Sequence, residues 1–135
     1  MQKLLNLDFV PRSIDLALLV LRLWLGLAMA WLHGWGKLVN LIAGTSKFPD
    51  ILGIGALPAL LLAIIAEFFC SLLLVVGLWT RLAALLLLIT MSVAFFMAHG
   101  AKLSGPGSGE LAFVYLAGYM VLLLAGAGKF SVDKK

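Results

Sequence analysis

Charged residues are scarce in this chain: they make up 12% of its 135 residues, whereas hydrophobic residues make up 64%. In an average soluble domain, about a quarter of the residues are Asp, Glu, Lys or Arg. The composition therefore excludes an ordinary soluble domain and predicts an integral membrane protein in contact with the lipid bilayer. The net charge of +4 then indicates membrane orientation and attraction to anionic lipid, and we expect no nucleic-acid partner.

Cysteine is also nearly absent, since Cys70 is the single one. One cysteine excludes an intrachain disulfide and a multi-cysteine metal site within this sequence. The only two histidines, His33 and His99, show no tight ligand spacing, so we predict no metal site. Cys70 is typical of a small residue in an apolar helix; its spacing of three residues from Glu67 leaves redox chemistry open as the alternative.

Long apolar segments, in contrast, occupy most of the chain. Four of them are long enough, or nearly so, to cross a bilayer as helices: residues 14–35, 57–79, 81–99 and 110–127. The connection 36–56 mixes apolar and polar residues and is expected to lie along the outer membrane surface as an amphipathic segment. We therefore predict one domain over residues 1–135, an all-α, four-helix antiparallel transmembrane bundle.

The cationic residues predict how this bundle is oriented. With four helices, both termini lie on one side of the membrane, and the side richer in Lys and Arg is cytoplasmic. The terminal side carries Lys3, Arg12, Arg81, Lys129, Lys134 and Lys135, against Lys37, Lys47 and Lys102 on the other. Both termini are therefore expected in the cytoplasm, with the protein in the cell inner (plasma) membrane.

Two charged residues, Arg22 and Glu67, lie well inside the predicted spans, away from their ends. Glu67 stands alone in the second apolar segment and needs a proton or a partner there. Arg22 lies in the first segment, on a helical stripe that should face the bundle interior and also includes Gly26, Met29 and His33. An Arg22–Glu67 salt bridge is one alternative. In the other, Glu67 is unpaired and is expected to be protonated, as a proton carrier would be.

A second polar group is predicted at the outer helix ends. Five residues should project to one level there: His33, Lys37, His99, Lys102 and Glu110. Such a group suits a pocket for a head group or a polar substrate. Ordinary helix ends explain the same residues, because a cation near a helix C-terminus complements the helix dipole.

A series of short motifs runs along the chain in a distinctive order. They are Leu21-Arg22-Leu23 with Gly26, His33-Gly34-x-x-Lys37-Leu38, Glu67, Gly77-Leu78-x-Thr80-Arg81, His99, Glu110 and the tail Gly126-Ala127-Gly128-Lys129-Phe130-Ser131-Val132-Asp133. Together the motifs are specific, and over nearly its full length the chain resembles the DoxX family of small four-helix bacterial membrane proteins.

This resemblance implies a quinone-linked oxidoreductase subunit, because the family includes quinone-coupled thiosulfate oxidoreductase subunits and partners of thiol-stress or superoxide-detoxifying enzymes. Quinone is the cofactor it suggests, and a protein in a redox or stress complex is the partner; whether the chain itself catalyses a reaction stays open. The expected catalytic residues are Glu67, His33 and His99, which would handle protons. The expected ligand-binding residues are Arg22, Lys37, Glu110 and Cys70.

Two hypotheses from other classes remain. The chain is alternatively a non-catalytic membrane anchor or assembly partner, with the outer connection, including Phe48 and Ile51, as its docking surface. A transporter of small molecules or lipids is the third hypothesis, because charges within the membrane often mark pathways. Four helices make a narrow monomer, so that a transporter would require a homo-oligomer.

Overall fold

The described chain is all helical. The structure, a computed structural model, describes residues 1–134; Lys135, one of the cations assigned to the cytoplasmic side, lies outside the described residues. No strand occurs within residues 1–134. The helices are α1 (Gln2–Leu5), α2 (Ile14–Ile42), α3 (Ala56–Val76), α4 (Thr80–Ala98) and α5 (Glu110–Ala125).

Three of these helices, α2, α3 and α4, are long and apolar enough to cross a membrane. Helix α5 is apolar but shorter, at 16 residues. The buried side chains of α2 to α5 meet in one apolar core, which includes Met29, Leu74, Leu87 and Leu122. Many large hydrophobic side chains remain exposed on the outside, as expected for helices that face lipid. The prediction of an all-α membrane protein is thus confirmed.

The first long helix differs from its predicted bounds. It continues to Ile42 instead of ending at residue 35, so the irregular connection covers only residues 43–55. Its last part, Trp35–Ile42, packs on the first part of α3, Ala56–Ile64. This contact explains the continuation, because packing of an amphipathic face stabilises a helix more than local propensity does.

The two ends of the molecule are defined by contacts between distant segments. At the terminal end, the backbone N–H of Lys129 donates to Asp15 Oδ1 at 3.0 Å, which places the C-terminal tail beside the start of α2. The same end contains the turn between α3 and α4, where Gly77 has a φ of +73° and ends α3 after Val76. The loop end contains the connections 43–55 and 99–109.

Close helix contacts along α2 depend on two glycines. A Cβ on Gly26 would lie 2.8 Å from the carbonyl oxygen of Ser71, and a Cβ on Gly34 would lie 2.8 Å from that of Glu67. Small residues allow two membrane helices to approach backbone to backbone. Helix α3 therefore lies directly against α2 at both levels, and Glu67 is held at one of them.

Each of the three long helices contains one wider, π-helical segment. These segments are Ala30–Gly34 in α2, Ile65–Cys70 in α3 and Ala94–Ala98 in α4. A π-helical turn changes the angular position of every residue that follows it, and such turns are frequent at functional sites. His33 and Glu67 lie inside two of the segments, and His99 directly follows the third.

Candidate functional site

A cavity of about 430 Å³ lies between the helices toward the loop end. Most of the side chains that line it are apolar. Besides the hydroxyl groups of Thr90 and Ser108, five side chains of the lining can donate or accept hydrogen bonds or protons: His33, Lys37, Glu67, His99 and Tyr115. The structure therefore brings together four of the seven residues predicted for the site, and adds Tyr115.

The central feature of the cavity is an ion pair between Lys37 and Glu67. The ammonium group of Lys37 donates to Glu67 Oε2 and lies 3.4 Å from the carbonyl oxygen of His33. The side chains are 25% and 9% exposed, so the pair is largely shielded. Because these charges compensate each other, Glu67 need not be neutral to be buried.

The Arg22–Glu67 salt bridge considered from the sequence is wrong, because the partner of Glu67 is Lys37. Two features of α2 bring Lys37 within reach of Glu67. Helix α2 continues past residue 35, and its π-helical segment Ala30–Gly34 changes the direction in which the following residues point. A straight α-helix ending at residue 35 leaves Lys37 in a surface connection.

Aromatic residues form the wall next to this pair. The rings of His33 and Tyr115 meet edge to face with centroids 6.2 Å apart, and Tyr115 stacks on Tyr119 at 5.7 Å. Tyr119 is fully buried, and its hydroxyl has no hydrogen-bond partner within residues 1–134. The sequence does not predict Tyr115 for the site; the only signal is its spacing of four residues from Tyr119, which puts both on one helix face.

The loop end of the cavity is covered by the two connections. Phe48, Ile51 and Leu52 contribute from the first, and Ser108 and Gly109 from the second. Phe48 and Ile51 thus line the cavity; the docking surface for another protein, of which both were expected to be part, stays a prediction.

His99 lies at this covered end of the cavity. The side chain is exposed, and Nδ1 is 3.0 Å from the carbonyl oxygen of Gly107. A Cβ on Gly109 would lie 2.9 Å from the Cβ of His99. The histidine therefore holds the connection 99–109 in place beside the cavity.

Arg22 lies away from the cavity, at the terminal end. Its side chain is fully buried and donates to the carbonyl oxygens of Leu74 at 3.1 Å, Val75 at 3.4 Å and Phe130. The last carbonyls of a helix have no partner inside it. Arg22 therefore caps the end of α3 and connects it to the C-terminal tail.

The tail itself is fixed by Asp133, which caps the next helix. Its two carboxylate oxygens each accept a backbone N–H at 2.9 Å, from Trp79 and from Thr80 at the start of α4. Its own N–H donates to the carbonyl of Gly77 at 2.9 Å. An aspartate at a helix N-terminus satisfies free N–H groups and complements the dipole. The tail motif is thus a structural connection between α2, α3 and α4.

The remaining predicted residues lie outside the cavity lining. Glu110 is exposed at the start of α5, and Cys70 is buried in the apolar core. No group of three or more His, Cys, Asp or Glu that could hold a metal ion occurs in the part of the chain that the structure describes.

Comparison with known proteins agrees with the resemblance noted in the sequence. The DoxX family model matches residues 17–100, more than half of the chain. A curated protein of Haemophilus influenzae, described as an uncharacterized protein, is 36% identical over 110 residues, which cover 70% of this chain and 80% of that protein. No solved structure matches the chain significantly. On this evidence the chain belongs to the DoxX family, and it is a membrane protein of the DoxX type.

Proposed function

We propose that this chain is a membrane-embedded redox subunit that binds a quinone in the cavity beside the Lys37–Glu67 pair. The observation that supports the proposal is the position of this pair. The ammonium group of Lys37, the carboxylate of Glu67, the imidazole of His33 and the phenol of Tyr115 converge in a cavity whose other lining residues are mostly apolar. Small-molecule sites have this composition, with apolar walls and a few oriented polar groups.

The lining residues fit a quinone head group by their chemistry and by the space between them. A volume of about 430 Å³ lies within the usual range of roughly 300–1,000 Å³ for such sites. Carbonyl oxygens accept hydrogen bonds, and Lys37, His33 and Tyr115 are donors on neighbouring walls. Lys37 would hold one carbonyl oxygen, with Glu67 fixing the position of the ammonium group.

The protein would supply proton handling and orientation. When bound, a quinone would supply reversible chemistry of two electrons and two protons. Glu67 and His33 can hold protons beside the head group, and the apolar walls exclude bulk water, which strengthens the electrostatic interactions inside. The electrons would come from a donor in a partner protein of a redox or stress complex, as the family resemblance implies.

We further propose that α5 is a fourth membrane span and that both termini are cytoplasmic. Helix α5 lies along α4: Arg81 Nε donates to the carbonyl of Leu123 at 2.9 Å near the terminal end, and Gly109 contacts His99 at the loop end. Its 16 residues cover about 24 Å. The cationic residues at the terminal end favour the cytoplasm, and the inner membrane, for the orientation.

Quinone binding by the purified protein tests the proposal. We expect the wild type in lipid nanodiscs to retain a quinone at near 1:1 ratio, measured by mass spectrometry of extracted small molecules. Lys37→Met removes the donor, and Glu67→Gln removes the charge that positions it, so that each should weaken binding of a short-chain ubiquinone analogue at least tenfold. Glu110→Gln is the matched control, since Glu110 is exposed and outside the cavity.

Two results would contradict the proposal. One is a folded wild type that neither retains a quinone nor binds the analogue. The other is equal binding by the wild type, Lys37→Met and Glu67→Gln, with circular dichroism confirming that each variant is helical. An equal loss of analogue binding in Glu110→Gln would show a general effect of charge and would also count against this site.

A further inference from the structure

The side of the cavity between α3 and α4 is formed by residues that also face outward. Leu62 and Ile65 of α3 and Leu86 and Ile89 of α4 all line the cavity. The same four side chains are 38–52% exposed on the surface of the molecule. Exposed side chains of both helices therefore border the cavity along the groove between α3 and α4.

The packing of α3 explains why a groove lies there. Close contacts between α3 and α4 come from the segment Ile65–Cys70 and the residues after it, toward the terminal end. The earlier part of α3, Ala56–Ile64, packs instead on the last part of α2, Trp35–Ile42. The two helices thus meet at the level of Glu67 and leave a gap nearer the loop end.

The groove lies at the depth of the lipid acyl chains. Leu62 is six positions after the start of α3, and Leu86 is twelve positions before the end of α4. At 1.5 Å per residue these are depths of about 9 and 18 Å below the helix ends. The hydrocarbon core of a bilayer is about 30 Å thick. Both edges of the groove therefore face hydrocarbon and not water.

The loop end of the cavity, which faces the aqueous side, is covered by the two connections and is lined by apolar and polar side chains. Phe48 and Ile51 are half-buried over it, and Gly109 is packed against His99 and Phe95. Leu52, His99 and Leu111 at this end are exposed as well, so the aqueous side meets a mixed polar and apolar lining, whereas the side between α3 and α4 is bordered by apolar residues that suit a ligand dissolved in the membrane.

We infer that the ligand of this cavity enters sideways from the bilayer, through a portal formed by Leu62, Ile65, Leu86 and Ile89. Its chemical class follows from the two ends of the path. The inner end carries Lys37, Glu67 and His33, and the portal is apolar throughout. The ligand is a membrane-dissolved amphiphile whose polar head reaches the ion pair and whose apolar tail remains in the portal or in the lipid. Only the identity of the head group rests on the proposed function.

A photoreactive lipid tests the portal without any quinone. The protein is reconstituted in phosphatidylcholine vesicles that contain a photoreactive fatty acid, whose diazirine lies next to its carboxyl group. The sample is then illuminated and digested, and the labelled residues are mapped by mass spectrometry. We expect labelling of the cavity residues Glu67 and Tyr115 in the wild type, in addition to the exposed Trp31. Ile65→Trp and Ile89→Trp fill the portal and should each reduce cavity labelling at least fivefold.

The control variants introduce the same large side chain, tryptophan, at positions that are exposed on the same two helices. Leu61 and Leu82 are exposed residues of α3 and α4 that do not line the cavity. Leu61→Trp and Leu82→Trp should therefore leave cavity labelling unchanged. Labelling of Trp31 alone in the wild type, or cavity labelling that is equal in all variants, would overturn the portal.

The same variants separate the portal from the proposed function. A short-chain ubiquinone analogue partitions into the membrane, and we expect it to bind several times more slowly in Ile65→Trp than in Leu61→Trp. Acyl-chain labelling through the portal without binding of the analogue would refute the quinone and support the portal. Binding of the analogue without cavity labelling would refute the portal and leave the quinone site intact.

Discussion

Removing Lys37 alone should destabilise the protein more than removing Lys37 and neutralising Glu67 together. In Lys37→Met, the Glu67 carboxylate keeps its place, 9% exposed, without its ammonium partner. Breaking a fully buried ion pair in this way costs about 3–5 kcal/mol, whereas breaking an exposed pair costs below about 1 kcal/mol. Since the Lys37 side chain is 25% exposed, we expect a loss of about 2–3 kcal/mol, toward the buried limit.

The double variant Lys37→Met/Glu67→Gln contains no unpaired charge. A buried pair replaced by neutral groups of similar volume is often close to neutral in stability. We therefore expect the double variant within about 1 kcal/mol of the wild type, and a coupling free energy of about 2 kcal/mol between the two sites. This coupling is the quantity that the contact in the structure predicts.

Equilibrium unfolding in mixed micelles of dodecyl maltoside and SDS measures these free energies, with helicity followed by circular dichroism. The four proteins of the cycle are compared at one pH. Lys102→Met is the control, because Lys102 is exposed and its ammonium group donates to a backbone carbonyl, that of Pro106, at 2.9 Å. The ion pair is refuted if the losses of unfolding free energy in the two single variants add up, within about 0.5 kcal/mol, to the loss in the double variant.

Two further predictions concern the packing of α2. Arg22→Met should lower the free energy of unfolding by about 3 kcal/mol in the same assay, because three backbone carbonyls lose a charged donor. The control Arg12→Met, at an exposed site, should change it by less than about 0.5 kcal/mol. Equal effects of the two substitutions would contradict the role of Arg22 as the cap of α3. Gly34→Ala should cost about 1–3 kcal/mol, because its Cβ would lie 2.8 Å from the backbone of Glu67. Gly36→Ala, with open space around its Cβ, should be neutral or slightly stabilising, and a neutral Gly34→Ala would contradict the close contact.

The sequence predicts the inner face of α2 well. Leu18, Arg22, Gly26 and Met29 are buried, three of them on the expected stripe, because a helix of regular period places residues three and four apart on one side. The same regularity fails beyond residue 29. There the helix widens into the segment Ala30–Gly34, and the end predicted at residue 35 is wrong by several residues.

Membership of the candidate site was predictable only in part. Glu67 and His33 stand out because polar groups are rare in apolar segments, and both line the cavity. Lys37 stands out as a cation, but its contact with Glu67 depends on the course of α2 beyond residue 35. Tyr115 gives almost no signal, since an aromatic residue in an apolar helix is usually part of the core.

By itself, the sequence determined that this protein is helical, that it lies in a membrane and that it belongs to the DoxX family. These properties follow from composition, from the length of apolar segments and from motifs in order, all of which are local. Only the tertiary structure decided which charges meet. From the sequence, a salt bridge between Arg22 and Glu67 was one of two alternatives. In the structure, Arg22 donates to backbone carbonyls and Lys37 pairs with Glu67. The reason is that helix packing and π-helical turns set the direction of each side chain.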